Sequence, residues 1–191
     1  MTAKNAKMLA TLTVMVVVIT ALASMQDAFA NTEPWYWTSA DQHYNCTYSV
    51  TTITKTLNVN PCGDLNSSSN VWEGFSGSSW DLDPSNNGHS VYAWTTLPSG
   101  VGGETTVRYN PNTGVAYNAW IIMNKNLSWE DSLDDIFSSG YDWKTFTGHE
   151  FGHLVGIAHG SSGSVMKSSI AADWAQRNPT SHDGWHMGEM Y

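Results

Sequence analysis

The chain is poor in positive charge. Eight Lys and Arg stand against 17 Asp and Glu over 191 residues, a formal net charge of −9. A nucleic-acid binder needs a basic face, so that class of partner is excluded. An acidic surface can hold Ca2+, but these acids are scattered and no Asp-x-Asp-x-Asp loop occurs. Cysteine is scarcer still, with Cys46 and Cys62 alone. An even count in an exported chain most simply means one disulfide, here closing a short loop worth on the order of 3 kcal/mol. Long apolar runs are missing after residue 23. The one such run, Met8 to Ala23, is broken by Thr11, Thr13 and Thr20 and falls short of the roughly 20 residues of a membrane-spanning helix. It follows Lys4 and Lys7 and leads to Ala28-Phe29-Ala30, the layout of a secretory signal peptide cleaved after Ala30. Residues 31–191 are then one exported domain with no membrane attachment, the size that a single core can hold together. Neither an internal repeat nor a linker divides them, and a monomer is the simplest expectation.

What is present is a concentrated run of chemistry at residues 149–159, His-Glu-Phe-Gly-His-Leu-Val-Gly-Ile-Ala-His. His149 and His153 are four apart, which on a helix puts both rings on one face, one turn above the other. Two neutral imidazoles so placed are a ready pair of zinc ligands. Glu150 follows His149 directly and so sits beside a metal rather than on it, as suits a general base acting on an activated water. Gly156 can take the left-handed conformation that ends a helix, letting the chain turn back and present His159 as a third ligand. Three protein nitrogens leave one position open, which is the catalytic rather than the structural arrangement. Met166 lies seven residues beyond His159, within Ser164-Val165-Met166. An alternative use of the chain, a binding module with an aromatic platform, would draw on its ten Trp. Most of them stand at core-like spacing, which argues for packing instead.

The pattern His-Glu-x-x-His-x-x-Gly-x-x-His with a methionine following resembles the metzincin clan of zinc endopeptidases. The short gap to Met166, with serines around it, is most similar to the matrixin branch. The resemblance covers residues 142–166 strongly and the rest of the chain more weakly. It implies an α+β, zincin-like metzincin fold: a twisted mixed sheet with an antiparallel edge strand, an active-site helix and a C-terminal helix. It implies Zn2+ on His149, His153 and His159, Glu150 as the base, a Met166 turn forming an apolar floor, and a protein or peptide substrate. Lys167-Ser168 departs from the family's Tyr-Pro, so the pocket floor is not carried over. Pro61-Cys62-Gly63 has the look of the family's latency segment, but it lies inside the presumed catalytic domain and the disulfide reading is kept. The structural zinc site of many matrixins is not carried over either, because His43 and His89 lack companions.

Taken in order, Cys46–Thr56 reads as a first strand after a packed leading segment with Trp35, Tyr36 and Trp37. Residues 63–75 are assigned a helix from the resemblance. Strands are expected at 80–82, 90–97, 104–109 and 115–123, with a turn at Asn110–Gly114 between the last two. The last is apolar on both faces and belongs inside the sheet. Residues 128–135 read as an acidic loop. The motif helix should start from an Asp142 cap, end near Leu154 and stop by Gly156. Residues 169–177 look helical, Pro179 ends that run, and 181–191 form a last helix. There His182 and His186, also four apart, are read as solvated.

Overall fold

The computed structural model describes residues 33–47, 57–58, 61–73, 79–85, 88–131, 140–160, 163–172 and 174–191. The expected leader at 1–30 lies outside the described residues, as do most of the first strand as expected, at 48–56, and the end of the acidic loop.

Among the described residues, eight strands and three helices follow along the chain. β1 is Asp41–Thr47, β2 Leu57–Asn58, β3 Asp81–Pro84, β4 His89–Thr95, β5 Gly103–Tyr109, β6 Ala116–Asn124, β7 Trp129–Glu130 and β8 Tyr141–Asp142. The helices are α1, Pro61–Ser69, α2, Trp143–Leu154, and α3, Ser181–Met190. The main sheet has the order β3-β1-β4-β6-β5, parallel throughout except for β5 against β6. The fold is therefore mixed α+β with one antiparallel strand at a sheet edge. A second small parallel sheet, β2-β7-β8, was not anticipated; β7 falls inside the stretch read as a loop.

The antiparallel pair is set by its turn. Asn110 accepts backbone bonds from Thr113 and Gly114, and Gly114 has a φ of 74° that a Cβ would resist. β6 then runs through the core, with Ala119, Ile121 and Met123 all buried on one face. Packed over the sheet is α2, ten of whose twelve residues are buried, so this helix is an interior element rather than a surface one. Asp142 caps it as expected, its side chain accepting from the Thr145 amide at 3.1 Å. The same buried carboxylate pairs with Arg177 and accepts from the Thr145 hydroxyl at 2.5 Å.

Small residues let α2 sit deep. A Cβ on Gly152 would collide with the Met166 sulfur and the Trp72 ring. Trp72 donates its indole N–H to the Gly148 carbonyl at 2.8 Å, and Thr147 bonds Ser68 at 2.7 Å, so the α1 region is locked to the back of α2. Trp129 meets Trp143 and Phe146 edge-on at 5.2 Å each, tying the small sheet to the same helix.

The single expected disulfide is present: Cys46 on β1 is bonded to Cys62 on α1, with Cα atoms 5.6 Å apart. Two expectations need correction. The first strand begins at Asp41, inside what was read as a leading segment, because Tyr44 and its neighbours pair with β3 on one side and β4 on the other. The described residues of 169–177 are not helical. There the backbone N–H of Gln176 bonds the Thr145 hydroxyl at 3.0 Å and Arg177 reaches Asp142, so contacts to α2 override the local alanine periodicity. No described helix is long and apolar enough to cross a membrane.

Candidate metal centre

The end of α2 brings the three motif histidines together. Val155 caps it, Gly156 follows with a φ of 98°, the Gly156 amide bonds the His153 carbonyl and the Ile157 amide bonds the Gly152 carbonyl, both at 2.9 Å. This is a Schellman stop, and it reverses the chain as the glycine predicts. The remaining carbonyls of the last turn are taken by distant groups. Trp37 donates its indole N–H to Leu154 at 2.8 Å, the Tyr191 hydroxyl donates to Val155 at 3.0 Å, and the Glu33 amide donates to Gly156 at 2.7 Å.

His149 and His153 rise from α2 and His159 returns from the chain after the stop. Their ligand atoms all lie within 4.8 Å of one another, the one group of three or more His, Cys, Asp or Glu among the described residues that could hold a metal ion. The His153 Nε2 is 3.1 Å from that of His149 and 3.3 Å from that of His159. Tetrahedral Zn–N bonds of about 2.0–2.1 Å put neighbouring nitrogens about 3.3–3.4 Å apart. The Nδ1 atoms look outward: that of His149 meets the Val165 carbonyl at 2.8 Å, and that of His153 the Ile157 carbonyl at 2.9 Å. A carbonyl can only accept, so each Nδ1 carries the proton, and in the neutral rings both Nε2 atoms are bare lone pairs. Two lone pairs 3.1 Å apart repel unless a cation or proton lies between them. The donor set thus fits a metal ion.

The charges of the rings reflect that crowding. Burial above all, with the charge of His153, holds His149 down to about 3. Burial and the same neighbour push His159 down. His153 moves the other way: burial opposes its charge, but the Glu33 carboxylate and the Glu150 charge outweigh it and raise the pKa. Glu33 Oε1 is 3.4 Å from His153 Nδ1, sharing that N–H with Ile157.

Glu150 is almost wholly buried. Burial raises its pKa, Glu104 adds to the rise, and His153 and the Thr105 hydroxyl oppose it. The Thr105 Oγ1 is 2.6 Å from Glu150 Oε2 and 2.9 Å from the Glu150 carbonyl, so it donates to one at a time and occupies the Oε2 side. A Cβ on Gly103 would fall 2.7 Å from Glu150 Oε1, so β5 approaches this carboxylate as closely as only glycine allows. The histidines and Glu150 open onto a cleft of about 440 Å³, walled on one side by residues 100–105 and on the other by residues 167–170.

Met166 is buried beneath Gly152 and is no part of the nitrogen set. Its turn is held by Ser164, whose hydroxyl accepts from the Met166 amide at 2.8 Å and bonds Asp183 at 2.7 Å. Asp183 in turn closes a capping box with Thr180 at the start of α3. Of the other histidines, His89 bonds Gln42 at 2.9 Å and His43 lies 3.7 Å from Asp41. His182 and His186 stand 3.4 Å apart at Nε2, and His186 is buried, not solvated as its sequence position suggested.

Thr105, Gly103 and Glu33 were not singled out from the sequence as partners of the motif. The one available signal was that residues 104–109 were read as a strand and that the resemblance implies an antiparallel edge strand. No protein-family model matches the chain, and no curated protein matches it.

Proposed function

We propose that the protein is an exported zinc endopeptidase built on the metzincin plan. The observation that carries this reading is the convergence of three imidazoles, two of them with inward Nε2 lone pairs, beside a buried carboxylate. His149, His153 and His159 would hold the ion, and an all-imidazole set of three with an open position suits Zn2+. When bound, the ion supplies Lewis-acid activation of a water and of a peptide carbonyl. Glu150 takes the proton of the attacking water and passes it to the leaving amine. Because Thr105 occupies Oε2, the proton moves through Oε1. The burial that raises the basicity of this carboxylate favours that role.

The sheet supports the same reading. Among the described residues β5 has a ladder partner on one side only, β6, and its first residues line the cleft. An extended peptide could add along the free side through main-chain hydrogen bonds, with its carbonyl delivered to the histidines. Met166 gives the histidines an apolar support under the helix, the role the family resemblance implies. Export is supported by the Cys46–Cys62 bond, which persists in oxidising compartments.

Replacing Glu150 with Gln tests the assignment. Glu150→Gln should keep its zinc and lose about 10²-fold or more of its turnover on casein, with chelators abolishing the wild-type activity. Undiminished turnover in that variant would refute the assigned base.

A further inference from the structure

The cleft is acidic apart from one group. Among the described residues that line it, the acidic and basic side chains besides the histidines are Glu33, Glu104, Glu150 and Lys167. Lys167 is the sole Lys or Arg there. Its Nζ sits 3.6 Å from the centroid of the Trp174 ring. An aromatic face stabilises an ammonium without neutralising it, and leaves most of its N–H donors for another acceptor. Among the described residues no carboxylate lies within ion-pair distance of Lys167, whereas Lys144 and Arg177 each have one. Its side chain is half-buried, so its charge is screened less than a free surface lysine's.

The backbone fixes where this charge stands. The Lys167 amide bonds the Ser164 carbonyl at 3.2 Å, and the residue is bridged to Gly160, next to His159. Two residues earlier, the Val165 carbonyl holds His149. The ammonium is therefore carried on the same short turn that orients two of the three rings. The wall continues through Ser168, Ser169 and Ile170, none of which carries negative charge.

We propose that Lys167 makes the cleft selective for peptides that place a Glu or Asp side chain against this wall, next to the bond being cut. This rests on the endopeptidase reading. The chain's net charge of −9 repels acidic peptides at long range, so the preference arises only at contact. A charge-assisted bond from a half-buried ammonium to a substrate carboxylate gives a preference of about tenfold.

The test uses zinc-loaded protein and fluorogenic peptides identical except for a single Glu, Gln or Lys moved along the sequence, with casein hydrolysis followed in parallel. The wild type should favour Glu over Gln by about tenfold in kcat/KM at one position. That ratio should fall to near one in Lys167→Met, persist in Lys167→Arg, and give way to a preference for a Lys peptide in Lys167→Glu. If the wild type cleaves casein but shows no Glu preference, or if Lys167→Met and Lys167→Glu retain it, the selectivity assignment is overturned and the peptidase reading stands. If no chelator-sensitive cleavage of casein or peptide occurs, both fall together.

Discussion

At Glu150 the local geometry separates two jobs of one carboxylate. Oε2 is anchored by Thr105 at 2.6 Å, and in the proposed mechanism Oε1 exchanges the proton. Thr105→Val removes the anchor without adding bulk. We expect kcat to fall about tenfold with zinc content unchanged, read by metal analysis beside steady-state kinetics. Gly103→Ala should be more damaging than an alanine substitution normally is, because the new methyl meets Oε1 at 2.7 Å. His149, His153, Glu150 and Gly156 were legible because a helix converts fixed sequence spacings into fixed geometry. Thr105 lies 45 residues from Glu150, and Glu33 far from His153; threonines and glutamates on an entering strand or a leading segment carry no local mark of such contacts. Those partners are products of the sheet topology, which spacing does not encode.

Among the elements, the stop of α2 and the turn at Ser164–Met166 position the third ring and the first. Gly156 has a φ of 98°, where an L side chain is strained, and a Cβ there would also press on Met190 Sδ and the Trp35 carbonyl at 3.3 Å. Gly156→Ala should cost about 1–2 kcal/mol in denaturant unfolding and weaken zinc binding, since His159 depends on that reversal. The elements with strong punctuation were readable: Asp142 before α2 and Asn110–Gly114 between β5 and β6. The stretch 169–177 was misread because its alanines mimic a helical face while its backbone is held by Thr145 and its Arg177 by Asp142. β7 and β8 are two residues long and were too short to show any periodicity.

For the molecule as a whole, acid and alkali each act in part through a half-buried group. His89 packs on Trp37 at 4.5 Å, and burial, then the charge of His43, holds its pKa down to about 4. Its unfolded counterpart takes up a proton near 6.5, so between those values the unfolded state binds more protons and stability falls as pH falls. Tyr191 is pushed up to about 12 by burial, so the folded state keeps a proton that the unfolded state loses near 10, and stability falls as pH rises from 10 to 12. Urea unfolding across pH should show His89→Gln flattening the acid limb and Tyr191→Phe the alkaline one. The disulfide acts on the unfolded chain, and Cys46→Ala with Cys62→Ala should lower stability by on the order of 3 kcal/mol.

The claim on which the rest depends is that one ion is held by His149, His153 and His159 alone. X-ray absorption at the zinc edge of the loaded protein tests it directly. The expected result is one zinc per chain with three imidazole nitrogens at about 2.0–2.1 Å, no sulfur ligand, and loss of the ion in His159→Ala. A sulfur shell, or a spectrum and stoichiometry unchanged by that substitution, would contradict it.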